Sequence, residues 1–172
     1  MEQTHSADVV EVDMASAVPT SDGIITRVKA LGLAVLAADC VPLLLKSREC
    51  VGAVHVGRKG MEKKIATRAI SMMREMGAGE ITAFIGPSVC GRCYEVSPEM
   101  YREVISQIPE SATRDDIHCL DIKAGLTAEL ELLNISMNNL DICTMENSDF
   151  FSHRVSASNG LPEGRQVGVI SL

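Results

Sequence analysis

Two side chains with the chemistry of metal ligands or catalytic groups, Cys40 and His55, close apolar runs of the sequence. Cys40 ends "LGLAVLAADC" (31–40), and His55 lies near the end of "CVGAVHV" (50–56). Strand ends in α/β sheets are where side chains from separate segments converge on one crevice. If the two strands are neighbours, Cys40 and His55 meet there. The alternatives at this point are a joint functional role and a buried thiol beside an ordinary hydrogen-bonded histidine.

The stretch "CVGAVHVGRKG" (50–60) continues from that strand through two glycines with two cations between them. Gly57 and Gly60 free the backbone, and the helix predicted to follow presents the positive end of its dipole. Together with the charges of Arg58 and Lys59, these features favour a phosphate or carboxylate site. The alternative is a solvated basic turn, because neither GxxxxGK[ST] nor GxGxxG is present.

Two further polar features accompany these residues. Asp39 is costly to bury unpaired, so we expect it to hydrogen-bond a turn or orient a neighbour, unless it is an exposed turn former. The pair Cys90 and Cys93 in "CGRC" has the spacing of half a zinc site. No second CxxC and no suitably spaced HxxxH completes it, so the pair is predicted to be structural, with adventitious metal binding as the alternative.

The elements that must position these residues alternate between strands and helices. Apolar residues at helical spacing predict a helix over 61–76, which Gly77 ends. Ser97, followed by proline, and Asp121 are predicted N-caps of two more helices. The segment 154–164 is predicted to be the loosest. Hydrophobic patterns predict strands over 7–12, 31–40, 50–56, 80–87 and 165–172.

Composition restricts the class of protein and of partner. At 172 residues and 46% hydrophobic, the chain fits a single domain, 1–172, with helices covering a mixed sheet. The net charge of -7 and the lack of a basic run argue against nucleic acid and anionic membrane, which leaves a small-molecule partner. Six cysteines without a signal-peptide pattern predict reduced thiols and a cytoplasmic location.

The motifs taken together resemble the bacterial YfiH-type laccase-domain family, historically called multicopper polyphenol oxidases. They follow the family's order and spacing along essentially the whole chain. The resemblance implies an α+β fold, a layered α/β sandwich shared in class with cysteine-hydrolase-like toxins. The motifs are "TH" near the start, "DGIITR", "AADCVPLLL", "VGAVHVGRKGM", "AFIGPSVCGRCYEV", "CTMENSDFFSHR" and "GRQVGVISL".

The resemblance also implies an activity and a metal site. Family members act on purine nucleosides: they phosphorolyse adenosine, inosine, guanosine and methylthioadenosine, and some deaminate adenosine. The family's zinc ligands fall on His5, Cys40 and His55, of which Cys40 and His55 would also be catalytic. Three protein ligands leave an open zinc position. The cations assigned to phosphate or substrate are Arg58, Lys59, Arg154 and Arg165.

The sequence departs from the family pattern in three places. Arg58 and Lys59 replace the tryptophan and arginine of the family's His-Ala-Gly-Trp-Arg-Gly corner. His153 stands where the family commonly has tyrosine. Relatives carry several dozen more residues before the first histidine, so we expect this chain to lack the family's N-terminal segment.

Three other functions compete with a zinc-dependent purine nucleoside phosphorylase. Copper in place of zinc would suit a laccase-like polyphenol oxidase, although a multicopper centre needs many imidazoles and this chain has four. A cysteine hydrolase would use Cys40 as its nucleophile and His55 as its base. A non-enzymatic module would bind purine or metal without turnover.

Overall fold

The computed structural model describes all 172 residues and contains ten strands, five α-helices and one 3₁₀ turn, Pro109–Ser111. The helices are Arg58–Glu62 (α1), Ile65–Glu75 (α2), Pro98–Gln107 (α3), Ile122–Leu132 (α4) and His153–Asn159 (α5). The strands are Val9–Glu11 (β1), Gly23–Thr26 (β2), Leu33–Ala37 (β3), Val41–Lys46 (β4), Val51–Val56 (β5), Thr82–Ile85 (β6), Ala112–Arg114 (β7), Cys119–Leu120 (β8), Ser136–Asn139 (β9) and Gln166–Ile170 (β10).

A mixed six-stranded sheet forms the middle of the molecule, with the strand order β1-β2-β5-β4-β6-β9. Its inner pairs are antiparallel, whereas β1 with β2 and β6 with β9 are parallel. Two smaller antiparallel pairs, β3 with β10 and β7 with β8, complete the strands. The protein is therefore α+β, with the mixed sheet and covering helices that the sequence predicted.

The central sheet is covered on both faces, which explains why all six residues of β5 are buried. On one face lies the main core, where sheet residues such as Leu43 pack with Met73 of α2 and Leu126 of α4. On the other face Val35 of β3 packs with Val51 and neighbouring sheet residues. A strand between two covering layers needs apolar side chains pointing both ways, so the run "CVGAVHV" is almost continuously hydrophobic.

The local capping signals are confirmed. Ser97 caps α3, accepting a hydrogen bond from the amide of Met100 at 3.3 Å, and Pro98 is the first helical residue. Asp121 caps α4 through the amide of Ala124 at 2.9 Å. Gly77 follows α2 with φ +92°, the left-handed conformation in which glycine carries no Cβ penalty.

Three predicted element bounds were wrong. The helix predicted over 61–76 is split into α1 and α2, because Lys64 takes a left-handed φ of +58° between them. The strand predicted over 31–40 ends at Ala37, and a separate strand, β4, follows from Val41. The segment 154–164 is not all loose: most of α5 lies in it, between the cap Ser152 and a left-handed Gly160.

A buried tyrosine makes the stability of the fold decrease at alkaline pH. The Tyr101 hydroxyl donates to the Asp115 carboxylate, and this bond, with burial and the negative charge of Asp115, raises the pKa of Tyr101 to about 12. Because the raised pKa favours the neutral form of Tyr101, this bond contributes fully to the free energy of unfolding below the pKa of tyrosine in the unfolded chain, about 10. It is lost as pH rises from about 10 to about 12.

We expect Tyr101→Phe to lower the free energy of unfolding by about 1 kcal/mol at pH 8, the value of one hydrogen bond, and by less at pH 12. Urea unfolding of both proteins at the two pH values measures this difference. An equal loss at both pH values would contradict the assigned ionisation.

Candidate metal and substrate cleft

Cys40 and His55 meet because β4 and β5 are antiparallel neighbours. Val41, the first residue of β4, pairs with Val56, the last residue of β5. Cys40 immediately precedes β4 and therefore lies beside the end of β5, where His55 is located. The convergence at a sheet end was predicted, but the strand responsible was not: β3, which precedes Cys40, pairs with β10 rather than with β5.

His5 completes a cluster with these two residues. Its ring lies 4.8 Å from the His55 ring, centroid to centroid, and nearly perpendicular to it. Its Nε2 is 3.8 Å from the Cys40 sulfur. One ligand atom from each of the three side chains lies within 4.8 Å of the others. The three residues that the family resemblance indicated as metal ligands are thus close enough to share one ion.

Asp22 holds both histidines of this cluster, and sequence reasoning missed it. Its carboxylate is fully buried and lies 2.8 Å from Nδ1 of His55, which leaves Nε2 of that ring for the cluster. It also accepts hydrogen bonds from the backbone amides of Thr4, His5 and Ser6. A carboxylate behind a ligating histidine fixes the ring and its tautomer. The available signal was the motif "DGIITR", whose aspartate has no other local role.

The bonds to Asp22 also set its charge. Burial alone would raise the pKa of this carboxyl, but the hydrogen bonds from His55, Ser6 and the nearby amides outweigh burial and lower it to about 2. Asp22 is therefore ionised at neutral pH. Asp22 lies behind the His55 ring, and its negative charge favours a cation bound between His5, Cys40 and His55.

Gly57 is required beside the cluster for close approach, not for unusual backbone angles. A Cβ at this position would lie 2.9 Å from Cδ2 of His5 and 3.2 Å from the Cys40 sulfur. Its φ of -85° is open to any residue. Any larger side chain would push the two ligands apart, so the glycine keeps the cluster compact.

The donor set fits a zinc ion. Burial, then the charges of Asp39 and Asp22, raise the pKa of Cys40 to about 11, so the free side chain is a neutral thiol. Burial lowers the pKa of His55, which keeps its imidazole neutral and able to ligate. Two imidazoles and a sulfur are ligands of catalytic zinc sites, and copper accepts the same donors. A bound divalent cation would convert the thiol into the thiolate.

The cluster opens into a cleft of about 660 Å³, and all four predicted anion-binding cations line it. Arg58 pairs with Glu62 at 2.7 Å and Arg165 with Glu163 at 3.1 Å. The ion pairs of the chain include neither Lys59 nor Arg154. Two cations of the cleft are therefore free of a carboxylate partner.

An aromatic wall adjoins these cations. The guanidinium carbon of Arg154 lies 4.5 Å above the centre of the Tyr94 ring, and both residues line the cleft. Tyr94 was not singled out from the sequence, although it follows directly on "CGRC". His153, the residue in place of the family's tyrosine, is exposed at the cleft and lies 3.0 Å from Glu163. Arginine stacked on an aromatic ring keeps its donors directed outward.

The turn at 57–60 supplies less than the sequence predicted. The helix α1 begins within this stretch, at Arg58, and has only five residues, too short for a substantial dipole. A Cβ at Gly60 would lie 3.3 Å from Cγ2 of Ile65 and 3.5 Å from the carbonyl oxygen of Ser6, so this glycine faces neighbouring parts of the chain rather than a ligand. The contribution of this corner to anion binding comes from Arg58 and Lys59 themselves.

Asp39 has the orienting contacts expected of it. One carboxylate oxygen accepts from the hydroxyl of Thr144 at 2.7 Å, and the other from the amide of Arg154 at 2.9 Å. Asp39 is buried and has a φ of +82°, an uncommon conformation for a residue with a side chain. These contacts hold the residue before Cys40 and the helix that carries Arg154 in one arrangement.

The fold is that of a group of solved bacterial proteins. A protein of Neisseria meningitidis superposes with a TM-score of 0.85 at 23% identity, covering 100% of this chain and 73% of that chain. YfiH of Bacillus licheniformis gives 0.83 at 27% identity, over 99% and 72%. YlmD of Geobacillus stearothermophilus gives 0.82 at 27%, over 99% and 71%. The layered architecture predicted from the motifs is thereby confirmed.

The family follows from the sequence match. A family model described as multi-copper polyphenol oxidoreductase laccase matches residues 1–172, and the chain belongs to this YfiH-type laccase-domain family. A Streptomyces griseus relative is 38% identical over 171 residues, covering 93% of this chain and 70% of the relative. One from Corynebacterium glutamicum is 39% identical over 183 residues, covering 100% and 73%. Both relatives are named purine nucleoside phosphorylase.

None of the helices combines the length and the apolar character that crossing a membrane requires.

Proposed function

We propose that this protein is a zinc-dependent purine nucleoside phosphorylase. The observation that carries the proposal is the cluster of His5, Cys40 and His55 in the wall of a cleft that is also lined by four cations. The names of the Streptomyces and Corynebacterium relatives support the nucleoside and phosphate substrates. Adenosine, inosine, guanosine and methylthioadenosine are the proposed nucleosides, and adenosine deamination is a second proposed reaction.

Phosphorolysis requires a phosphate oxygen to bond to C1′ of the ribose while the bond from C1′ to the base nitrogen breaks. The electron pair of that bond leaves with the purine, which then gains a proton. Lys59 and Arg154 are suited to hold the phosphate because neither has a carboxylate partner. Arg165 lines the same cleft and is a third cation for this anion, because its partner Glu163 is exposed and the ion pair is weak. A zinc ion in the cluster supplies a Lewis acid to polarise a substrate atom.

The open face of the cluster is the reason for adding deamination. Three protein ligands would leave a position for water on a bound zinc ion, and Asp22 orients the His55 ring so that Nε2 is free to ligate it. The oxygen of that water would bond to the amino-bearing carbon of adenosine while the bond to the amino group breaks, so that ammonia leaves and inosine forms. The two reactions differ in their need for phosphate, so they can be separated in one assay.

The geometry favours this function over its rivals. Cys40 is a weak nucleophile when unmetallated, because its raised pKa, about 11, leaves roughly one thiolate in 10⁴ molecules at pH 7. That opposes an unaided cysteine hydrolase. The cluster contains two imidazoles and room for one ion, whereas multicopper chemistry needs several ions and many imidazoles.

The test is to incubate the purified protein with adenosine, with and without phosphate and with and without a chelator, and to separate the products. Adenine and ribose 1-phosphate that require phosphate and disappear with chelator support phosphorolysis; inosine without phosphate supports deamination. A folded, zinc-loaded protein that forms neither product contradicts the proposal. Activity that survives chelation but not thiol alkylation would favour the cysteine hydrolase.

Arg165 offers a variant that tests phosphate binding. It lines the same cleft as Cys40 and His55, and its carboxylate partner, Glu163, is exposed. We expect Arg165→Ala to raise KM for phosphate about tenfold or more, the value of one charge-assisted hydrogen bond, and Arg165→Lys to restore part of the loss. Steady-state kinetics with varied phosphate measure this effect.

Arg114 gives a matched control for that variant. It is an exposed arginine that also pairs with a neighbouring carboxylate, Asp116, but it does not line the cleft. Arg114→Ala should leave KM for phosphate unchanged. A similar KM in both variants would remove Arg165 from the phosphate site.

A further inference from the structure

A second cluster of metal-ligand side chains lies outside the cleft. It consists of Cys90, Cys93, Cys143 and Glu146, and one ligand atom from each lies within 4.8 Å of the others. None of the four lines the cleft that holds His5, Cys40 and His55. The reaction proposed for the cleft therefore gives these residues no role.

The first half of the cluster is a tight turn. The amide of Cys93 donates to the carbonyl of Cys90 at 3.0 Å, and the amide of Tyr94 donates to the same oxygen at 3.1 Å. This turn brings the two side chains of the CxxC to one side, the arrangement found in zinc knuckles. The amide of Cys90 also points at the Cys143 sulfur, at 3.4 Å, a contact that stabilises a thiolate there.

The second half comes from fifty residues further along the chain. The segments that follow the parallel strands β6 and β9 remain side by side. The amide of Ser88 donates to the carbonyl of Ile142, and the amide of Thr144 donates to the carbonyl of Ser88, each at 3.1 Å. This pairing places Cys143 against the turn. A search for a second CxxC in the sequence misses these ligands, because pairing in the sheet, not sequence spacing, brings them to the turn.

Glu146 supplies an oxygen on the remaining side. Its Oε1 lies 3.6 Å from the Cys93 sulfur, and Arg92 within the turn holds the same carboxylate at 2.9 and 3.1 Å. Ligating carboxylates commonly have such an outer partner, which orients the oxygen. Three sulfurs and one oxygen make up a four-ligand set with no protein ligand missing.

The geometry points to a second metal site, a closed tetrahedral zinc site with Cys90, Cys93, Cys143 and Glu146 as ligands. Zinc–sulfur bonds of about 2.3 Å in a tetrahedron require sulfurs ~3.8 Å apart, so the atoms of this cluster need to move only slightly to close on an ion. Thiolate donors select zinc over magnesium or calcium. Four protein ligands leave no open position, so the site is structural.

The two segments joined by this ion are the same two that hold Asp39. The amide of Val89, next to Cys90, donates to the Asp39 carbonyl at 3.0 Å, and the hydroxyl of Thr144, next to Cys143, donates to its carboxylate. Asp39 directly precedes Cys40. Zinc at the second site would therefore stabilise the turn that places Cys40 in the cleft. The two metal sites would be connected through the contacts of Asp39.

Metal content of single variants tests this inference. We expect two zinc ions per wild-type chain after loading with zinc and gel filtration, and one in each of Cys93→Ala, Cys143→Ala and Cys40→Ala. Cys50→Ala is the control, because Cys50 is buried away from both clusters and should retain two. A wild-type protein with one ion that Cys40→Ala loses and Cys93→Ala keeps would overturn the second site while leaving the cleft site intact.

Cobalt spectra of the wild-type chain cover the case in which a variant fails to fold. Three of the four cysteines in the two clusters belong to the second site, so the cobalt-saturated wild-type chain should show thiolate-to-cobalt absorption about four times that expected of Cys40 alone. Bound metal should also protect Cys90 and Cys93 from alkylation until a chelator is added. Absorption of a single thiolate from the cobalt-saturated wild-type chain would contradict the site.

Discussion

Cys40→Ala is expected to abolish zinc binding in the cleft and to lower nucleoside phosphorolysis by more than about 100-fold. The variant removes the only sulfur among the three ligands and leaves two imidazoles, which hold zinc far more weakly. Loss of an outer partner alone typically costs 10–100-fold in metal affinity, so loss of a ligand should exceed that. Metal analysis and product formation from adenosine and phosphate measure the two effects.

The control for this variant is Cys50→Ala, which removes a fully buried thiol without touching the cleft. It should keep full activity and full metal content. Cys40→Ala should also keep its circular dichroism spectrum, because Cys40 is half-buried in the wall of the cleft and belongs to neither hydrophobic cluster. A Cys40→Ala protein with normal metal content and normal turnover would eliminate Cys40 as a ligand.

Asp22→Asn is expected to weaken zinc binding in the cleft by about 10–100-fold although Asp22 touches no metal. The carboxylate accepts hydrogen bonds from the segment that carries His5 and from the ring of His55. An asparagine can accept with only one atom and presents an NH₂ group to donors on the other side. The two histidines would lose their fixed orientation, and the site would lose a full negative charge.

Competition with a chromogenic chelator measures this affinity, and Asp8→Asn is the control. Asp8 lies in the same N-terminal segment with an exposed side chain, so its variant should bind zinc as the wild type does. Asp22→Asn should also lower the unfolding midpoint of the metal-free protein, because it leaves buried donors without an acceptor. Unchanged zinc affinity in a folded Asp22→Asn protein would show that His5 and His55 need no such support.

The same carboxylate links stability to acid. The pKa of Asp22 is about 2 in the folded protein and near 4 in the unfolded chain. Ionised Asp22 therefore makes its full contribution to the free energy of unfolding at neutral pH. That contribution is lost as pH falls from about 4 toward 2. The cleft and its N-terminal segment should therefore be an early part of the structure to loosen in acid.

Local sequence determined the features that depend on hydrogen bonds within one turn of helix. Ser97, Asp121 and Gly77 mark helix ends by chemistry confined to three or four residues, so their roles could be predicted without knowing the fold. Motif order and spacing also identified the family. The ligand types of the cleft were recognisable because the chain has so few histidines.

Tertiary structure decided which distant residues share a site. The register of β4 on β5 places Cys40 beside His55, and the buried Asp22 connects His5 to His55, which are fifty residues apart in the sequence. Pairing beyond β6 and β9 brings Cys143 to the "CGRC" turn. Strand register is set by packing of the whole sheet rather than by neighbours in sequence, so no local sequence pattern predicts these long-range contacts.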